Sequence, residues 1–153
     1  MAARESLAAS YFEKAKTVLK GDKRVDGWLA GARIRLEAAR DGELWHLWYT
    51  SVPAPEQMAA EIERRLALQE SGSMLPFTTR LLDPATGGPG RVIGMTTYMN
   101  IDTATPRVEI GSTWYRKNTQ RTPINTQCKL VLLTHAFEAL NCIAVEFRTH
   151  FFN

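Results

Sequence analysis

Apolar and polar positions follow two rhythms along the chain, and the rhythm changes near residue 73. In RESLAASYFEKAKTVLKG, the residues Leu7, Tyr11, Phe12, Ala15, Val18 and Leu19 recur at helical spacing and Gly21 supplies a stop. That pattern predicts a helix over residues 2–20 with Lys14, Lys16 and Lys20 on its solvated face. ARIRLEA then alternates like a short strand, with Ile34 and Leu36 on one side. The stretch DGELWHLWYTSVPAPEQMAAEIERRLALQES reads as a short aromatic segment, a proline-bounded turn and a helix over residues 55–69. Pro55 suits a first helical turn, and Glu56 complements the positive end of the helix dipole. Trp45, Trp48 and Tyr49 read as core aromatics, with the wall of a ligand groove as the alternative.

After Gly72 the period shortens to two. MLPFTTRLLD is a strand, PATGGPG a turn, and RVIGMTTYMNID its hairpin partner. A second turn at residues 103–106 leads to RVEIGSTWY, which completes an antiparallel meander. QRTPINTQCKLVLLTHAFEAL follows, a polar loop that runs into a long helix, and CIAVEFRTHFF is then a strand over residues 143–151. Strand, loop, helix and strand make a βαβ unit, so the last strand is expected parallel to RVEIGSTWY. The predicted fold is α+β: a mixed, mainly antiparallel sheet with one βαβ unit, flanked by helices. In the long helix Thr122 suits the N-cap and Pro123 the first helical position. Its apolar stripe is Leu130, Leu133, Thr134, Phe137 and Leu140 or Ala136, which assigns these to the core.

Composition narrows the function classes. The 153 residues are 44% hydrophobic, enough for one core, so residues 1–153 are read as a single domain. Lys and Arg number 19 against 16 Asp and Glu, a net charge of +3 that favours anionic ligands modestly. These charges are scattered rather than clustered, which speaks against a nucleic-acid partner. Cys128 and Cys142 lack C-x-x-C spacing and no signal with an apolar core opens the chain, so reduced thiols and a cytoplasmic location are expected. His46, His135 and His150 are dispersed, so no metal site is expected. No apolar run approaches the roughly 20 residues of a membrane span.

The polar loop before the long helix carries the candidate chemistry. A helix leaves its first N–H groups unpaired and positively polarised, so the loop at residues 120–126 can cradle a diphosphate, or it is simply a capped helix with no ligand. Taken together, VIGMTTYMNID, RVEIGSTWY, QRTPINTQCKLVLLTHAFEAL and CIAVEFRTHFFN resemble the GNAT superfamily of acetyl-CoA-dependent N-acyltransferases, in the branch that includes ribosomal-protein N-acetyltransferases. The resemblance covers residues 74–153. In that family a loop of pattern Q/R-x-x-G-x-G/A holds the diphosphate of acetyl-CoA. Here Gln120 takes the first position, Pro123 the glycine position and Asn125 the last, so two of three signature positions depart.

The resemblance implies that Gln120, Arg121, Thr122, Ile124, Asn125 and Thr126 contact the coenzyme, together with Ile110, Gly111, Ser112 and Thr113 of the preceding strand, where the family carries a bulge, and Asn153. Gly111 is the residue expected to fit the bulge, or a close approach of backbone. The implied reaction is direct attack of a primary amine on the acetyl thioester, with Glu109 as base. Its bland alternative is a strand carboxylate paired with Arg107 or a neighbour. The implied cosubstrate is acetyl-CoA, with no metal, and the acceptor is an amine on a small molecule or a protein N-terminus. The chain ends at Asn153, where relatives continue with a further helix and hairpin, and the strand edge this leaves is open to a second copy of the chain. A protein of the same fold that binds CoA or a partner without turnover is the alternative function.

Overall fold

The computed structural model describes residues 38, 41–49 and 51–152. The predicted helix at residues 2–20 lies outside them, as does the ARIRLEA strand apart from its last residue, Ala38, which is helical and buried with the α1-side core. A 3-10 turn at Pro55–Gln57 leads into helix α1, Met58–Glu70. Four strands follow, β1 (Met74–Leu82), β2 (Pro89–Asp102), β3 (Arg107–Tyr115) and β4 (Ala144–Glu146), with helix α2 (Ile124–Thr134) between the last two. The sheet order is β1-β2-β3-β4; the first three strands are antiparallel to their neighbours, and β4 lies parallel to β3. The α+β fold with its βαβ unit is therefore present as read from the sequence.

A core packs on each face of the sheet. Leu75, Tyr98, Val108 and Ile110 meet Leu132, Ala136, Leu140 and Cys142 on the α2 side. Val92, Met95 and Trp114 meet Met58 and Ile62 on the α1 side, closed off by Leu44 and Val52. Strand alternation puts Tyr98 and Met95 of β2 on opposite faces, as their odd spacing requires. Val108, Ile110 and Trp114 of β3 are all even-numbered, yet Trp114 points to the other side. The register explains this. Met95 faces Trp114 while Thr97 faces Gly111, so one residue of β3 is extra. The bulged residue is Ser112, at φ +47°.

Helix α1 carries a buried cation. Arg65 is 3% exposed, and its guanidinium donates to Glu61 Oε1 at 2.6 Å and to Thr97 Oγ1 at 2.9 Å. A desolvated charge persists only with such partners. Burial pulls the Arg65 pKa down while Glu61 holds it up.

Three readings of the sequence need correction. In α2 the buried side is Leu132, Ala136 and Leu140, with Leu133 partly covered, whereas Leu130 is 65% exposed, Phe137 45% exposed and Thr134 exposed. A spacing of four drifts around a regular helix, but His135–Ala139 forms a π-helical turn that takes up the drift, with the Leu140 N–H donating to the His135 carbonyl at 3.1 Å. Asn141 at φ +53° then ends the helix. The last strand is three residues long rather than residues 143–151. In the aromatic segment a turn at Leu44–His46 buries Leu44, while Trp45 and Tyr49 are half-buried and Trp48 is 72% exposed against the rings of His150 and Phe152.

Candidate functional site

The parting of β3 and β4 organises the site. Arg107, Val108 and Glu109 pair with Ala144, Val145 and Glu146, and there the pairing ends. Beyond Glu109 strand β3 continues for six residues through the Ser112 bulge to Tyr115, with no strand beside it on that edge among the described residues. The β-branched and aromatic run after Glu146 suggested a longer strand, but the chain turns away. The result is a wedge between Ile110–Thr113 and the segment that starts at Phe147, with main-chain groups of β3 open along one wall.

The bulge places the candidate residues on different sides. Gly111 is not the left-handed residue; Ser112 is. Gly111 instead serves close packing, since a Cβ there would stand 2.7 Å from Met99 Sδ and 3.3 Å from Glu109 Oε1. Ser112 is exposed at the crest of the bulge. Thr113, thrown to the α2 side, accepts from Lys129 Nζ at 2.7 Å and shares a 2.8 Å hydrogen bond with Thr96 Oγ1. Lys129 also donates to Thr96 Oγ1 at 3.2 Å. Burial lowers the Lys129 pKa to about 8, with Cys128 acting in the opposite sense. Neither Lys129 nor Thr96 stood out in the sequence. The available signal was that Lys129 shares the helical phase of Leu132, Leu133 and Ala136, the side of α2 that is buried.

Glu109 is 5% exposed, on the α1 face of the sheet. Its Oε2 accepts from Asn100 Nδ2 at 2.7 Å and lies 3.4 Å from Arg148 Nε. Arg107 is not its partner, because that guanidinium pairs with Asp102 at 3.4 Å and Glu146 at 3.2 Å. Arg148 is largely exposed, so one side of the carboxylate is closed by a surface side chain and the other by Asn100.

The loop into α2 is pinned at its start and open at its end. The Arg116 N–H donates to the Ile93 carbonyl at 2.7 Å and its guanidinium to Asp41 at 3.2 Å. Gln120 ties its side chain back to the Tyr115 carbonyl at 2.9 Å, and Arg121 adopts φ +57°. Thr122 does not cap the helix: its hydroxyl donates to the Thr119 carbonyl at 2.7 Å, and Pro123 takes the cap position, its carbonyl accepting the Gln127 N–H at 2.9 Å. Helix α2 thus begins at Ile124 without a side-chain cap and without an acidic residue in its first turn. Among the described residues no acceptor takes the N–H groups of Ile124, Asn125 and Thr126, which leaves three polarised donors at one helix mouth. Asn153 lies outside the described residues. Tyr115, at the far end of β3, has its hydroxyl pushed well above the ordinary range by burial and by neighbouring Cys128.

The chain thus combines a parallel strand pair that parts, a bulge on one of the two strands and an uncapped helix mouth, and residues 31–153 match the family model "Acetyltransferase (GNAT) domain". The chain belongs to the GNAT acetyltransferase family. Seventy solved chains match its structure. A provisionally assigned acetyltransferase from T. thermophilus superposes at TM-score 0.63 and 26% identity, over 82% of this chain and 61% of that one. Mycobacterium smegmatis RimJ, in complex with CoA-disulfide, superposes at TM-score 0.59 and 22% identity, over 82% and 59%. A mutant of spermidine N-acetyltransferase SpeG from Vibrio cholerae does so at TM-score 0.55 and 13% identity, over 77% and 64%. The chain thus spans about three fifths of the length of these structures. No curated protein matches its sequence significantly. No cluster of metal-ligating side chains and no helix long and apolar enough to cross a membrane occurs among the described residues.

Proposed function

We propose that this domain transfers an acetyl group from acetyl-CoA to a primary amine by direct attack. The observation that carries the reading is the separation of β3 from the chain after β4, in a fold whose crossover helix α2 opens with three unaccepted N–H groups. Backbone donors at a helix N-terminus suit a diphosphate, which needs several short hydrogen bonds and gains from the dipole. Ile124, Asn125 and Thr126 take that role, with Arg121 at the loop's left-handed corner and the Gln120 side chain bracing the loop from behind. Pro123 contributes no donor, and the site uses the amides on its C-terminal side instead. Residues Ile110–Thr113 offer the open main chain of a bulged strand to an extended acyl chain. Acetyl-CoA supplies the activated acetyl group.

Glu109 is proposed to take the proton from the attacking amine, directly or through one water. Its carboxylate lies next to Gly111, on the α1 side of the wedge, and Arg148 is the surface side chain that yields to an incoming amine. A base of this kind contributes about 10²–10⁴-fold, so Glu109→Gln should lower kcat by that range with little change in acetyl-CoA affinity. The acceptor class is a primary amine; the structural neighbours RimL, a ribosomal L7/L12 alpha-N-protein acetyltransferase, and SpeG, a spermidine N-acetyltransferase, motivate testing a protein N-terminus and a polyamine side by side. Calorimetry with acetyl-CoA tests the coenzyme site, and absence of heat at millimolar ligand would reject it. A thiol-release assay over the amine panel then tests turnover.

A further inference from the structure

Lys129 stands where the wedge opens. Its ammonium bonds Thr113 Oγ1 at 2.7 Å, one residue past the Ser112 bulge, and lies 5.8 Å from the ring centroid of Phe147, the first residue after β4. It therefore bridges from α2 to both walls at the level at which they part. A structural lysine ordinarily extends its head to water or to a carboxylate. Here, among the described residues, both acceptors are threonine hydroxyls and no carboxylate pairs with it. The titratable group that acts on it is Cys128 on its own helix; Tyr115 neighbours Cys128, Tyr98 donates to the Leu132 carbonyl of α2, and His135, in the π turn beyond α2, stacks on Tyr98. Burial raises both tyrosines and lowers His135, so none of these three supplies a counter-charge near neutral pH. A half-buried ammonium held only by neutral acceptors has its desolvation incompletely offset, and an anion that forms beside it is the natural complement.

We propose that, in the acetyl transfer inferred above and resting on that reading, Lys129 gives its proton to the departing thiolate. As the amine nitrogen bonds the acetyl carbon, the carbon–sulfur bond breaks and its electron pair stays on sulfur. A proton passes from Lys129 Nζ to that sulfur. The amine's surplus proton leaves through Glu109 or water, and neutral Lys129 regains a proton from solvent. Thr113 and Thr96 hold Nζ in place through this cycle, since each hydroxyl can accept from the ammonium and donate to the neutral amine. With its pKa lowered to about 8, the ammonium is a stronger acid than an alkyl thiol, so the proton passes downhill to the departing sulfur, and the donor titrates near the working pH.

Two variants and one spectroscopic titration test this. Lys129→Met removes both charge and proton; Lys129→Arg keeps the charge but does not release a proton in the working range. Both should lower kcat by about 10²-fold or more with the KM for acetyl-CoA changed only a few-fold. The loss of wild-type kcat as pH rises past about 8 should vanish in Lys129→Arg. Independently of turnover, the ultraviolet thiolate absorbance of bound CoA should titrate below the ordinary value in the wild type and return to it in Lys129→Met. Should Lys129→Met fail to fold, Lys129→Arg and the wild-type titration carry the test. Unaltered kcat in Lys129→Arg, a bound thiol that titrates as free CoA does, or a stable acetyl group on Lys129 in the intact mass would each overturn the proposal while leaving the coenzyme site standing. CoA that does not bind the wild type at all overturns the proposed function and this inference with it.

Discussion

Replacing Asn125 by Asp should make the protein more stable and worse at holding CoA. Asn125 is exposed in the first turn of α2, a turn with no acidic residue and no side-chain cap. A carboxylate there meets the positive end of the helix dipole and should contribute about 0.3–1 kcal/mol. For a chain of this size each kcal/mol moves the midpoint by roughly 2–4 °C, so the melting temperature should rise by about 1–4 °C. The same carboxylate repels a diphosphate at that mouth. With two like charges on the order of 6 Å away in a medium as polar as water, the repulsion is about 1.4 kcal/mol in total, or close to tenfold in Kd. A lower local dielectric would enlarge that figure and salt would shrink it. Thermal melts without ligand and calorimetry with CoA at two ionic strengths give both numbers. If the variant melts higher and binds CoA as tightly as the wild type, the anion does not sit at the α2 mouth and the site as drawn is wrong.

Other consequences can be measured on the folded chain without a substrate. Ser112 holds φ +47°, so Ser112→Gly should leave stability within about 1 kcal/mol, whereas Ser112→Val should cost about 2 kcal/mol through β-branching at a left-handed residue; urea midpoints distinguish the two. His135 is half-buried with Nε2 unpartnered among the described residues, and burial lowers its pKa below 6.5. The unfolded chain then binds the proton more tightly than the folded one. Stability should fall as pH drops from about 6.5 through the folded pKa, and His135→Leu should flatten that limb of a urea-midpoint series.

The meander was legible because its signals are local. Alternation marks β1, β2 and β3, and the turn residues of PATGGPG leave little choice of partner for MLPFTTRLLD. The βαβ order then dictated that β4 lies parallel to β3, and it does. What escaped depends on departures from ideal geometry. Leu130 and Phe137 look like core residues by spacing, but α2 turns the Leu132 side inward, opposite Leu130, and the π turn at His135–Ala139 keeps Ala136 and Leu140 on that inner side. Phe147 and Phe151 fit a strand by type, but the chain leaves β3 after Glu146 and the ladder ends there. The site divides in the same manner. The α2 mouth was readable from its polar loop, although the cap moved from Thr122 to Pro123. Lys129 was invisible, because a lone lysine in a helix reads as solvent-facing until the buried side is known.

The extra residue at Ser112 means that the two halves of β3 are written in different reading frames. Shortening the strand by one position between Ile110 and Trp114 would set them in phase and turn the indole out of one interior or the isoleucine out of the other. Loss of a residue from the turn at residues 83–88 would disturb neither. Length variation among natural relatives should accordingly crowd into that hairpin tip and spare the middle of β3, so a gap placed there in any alignment is a sign that the alignment has slipped.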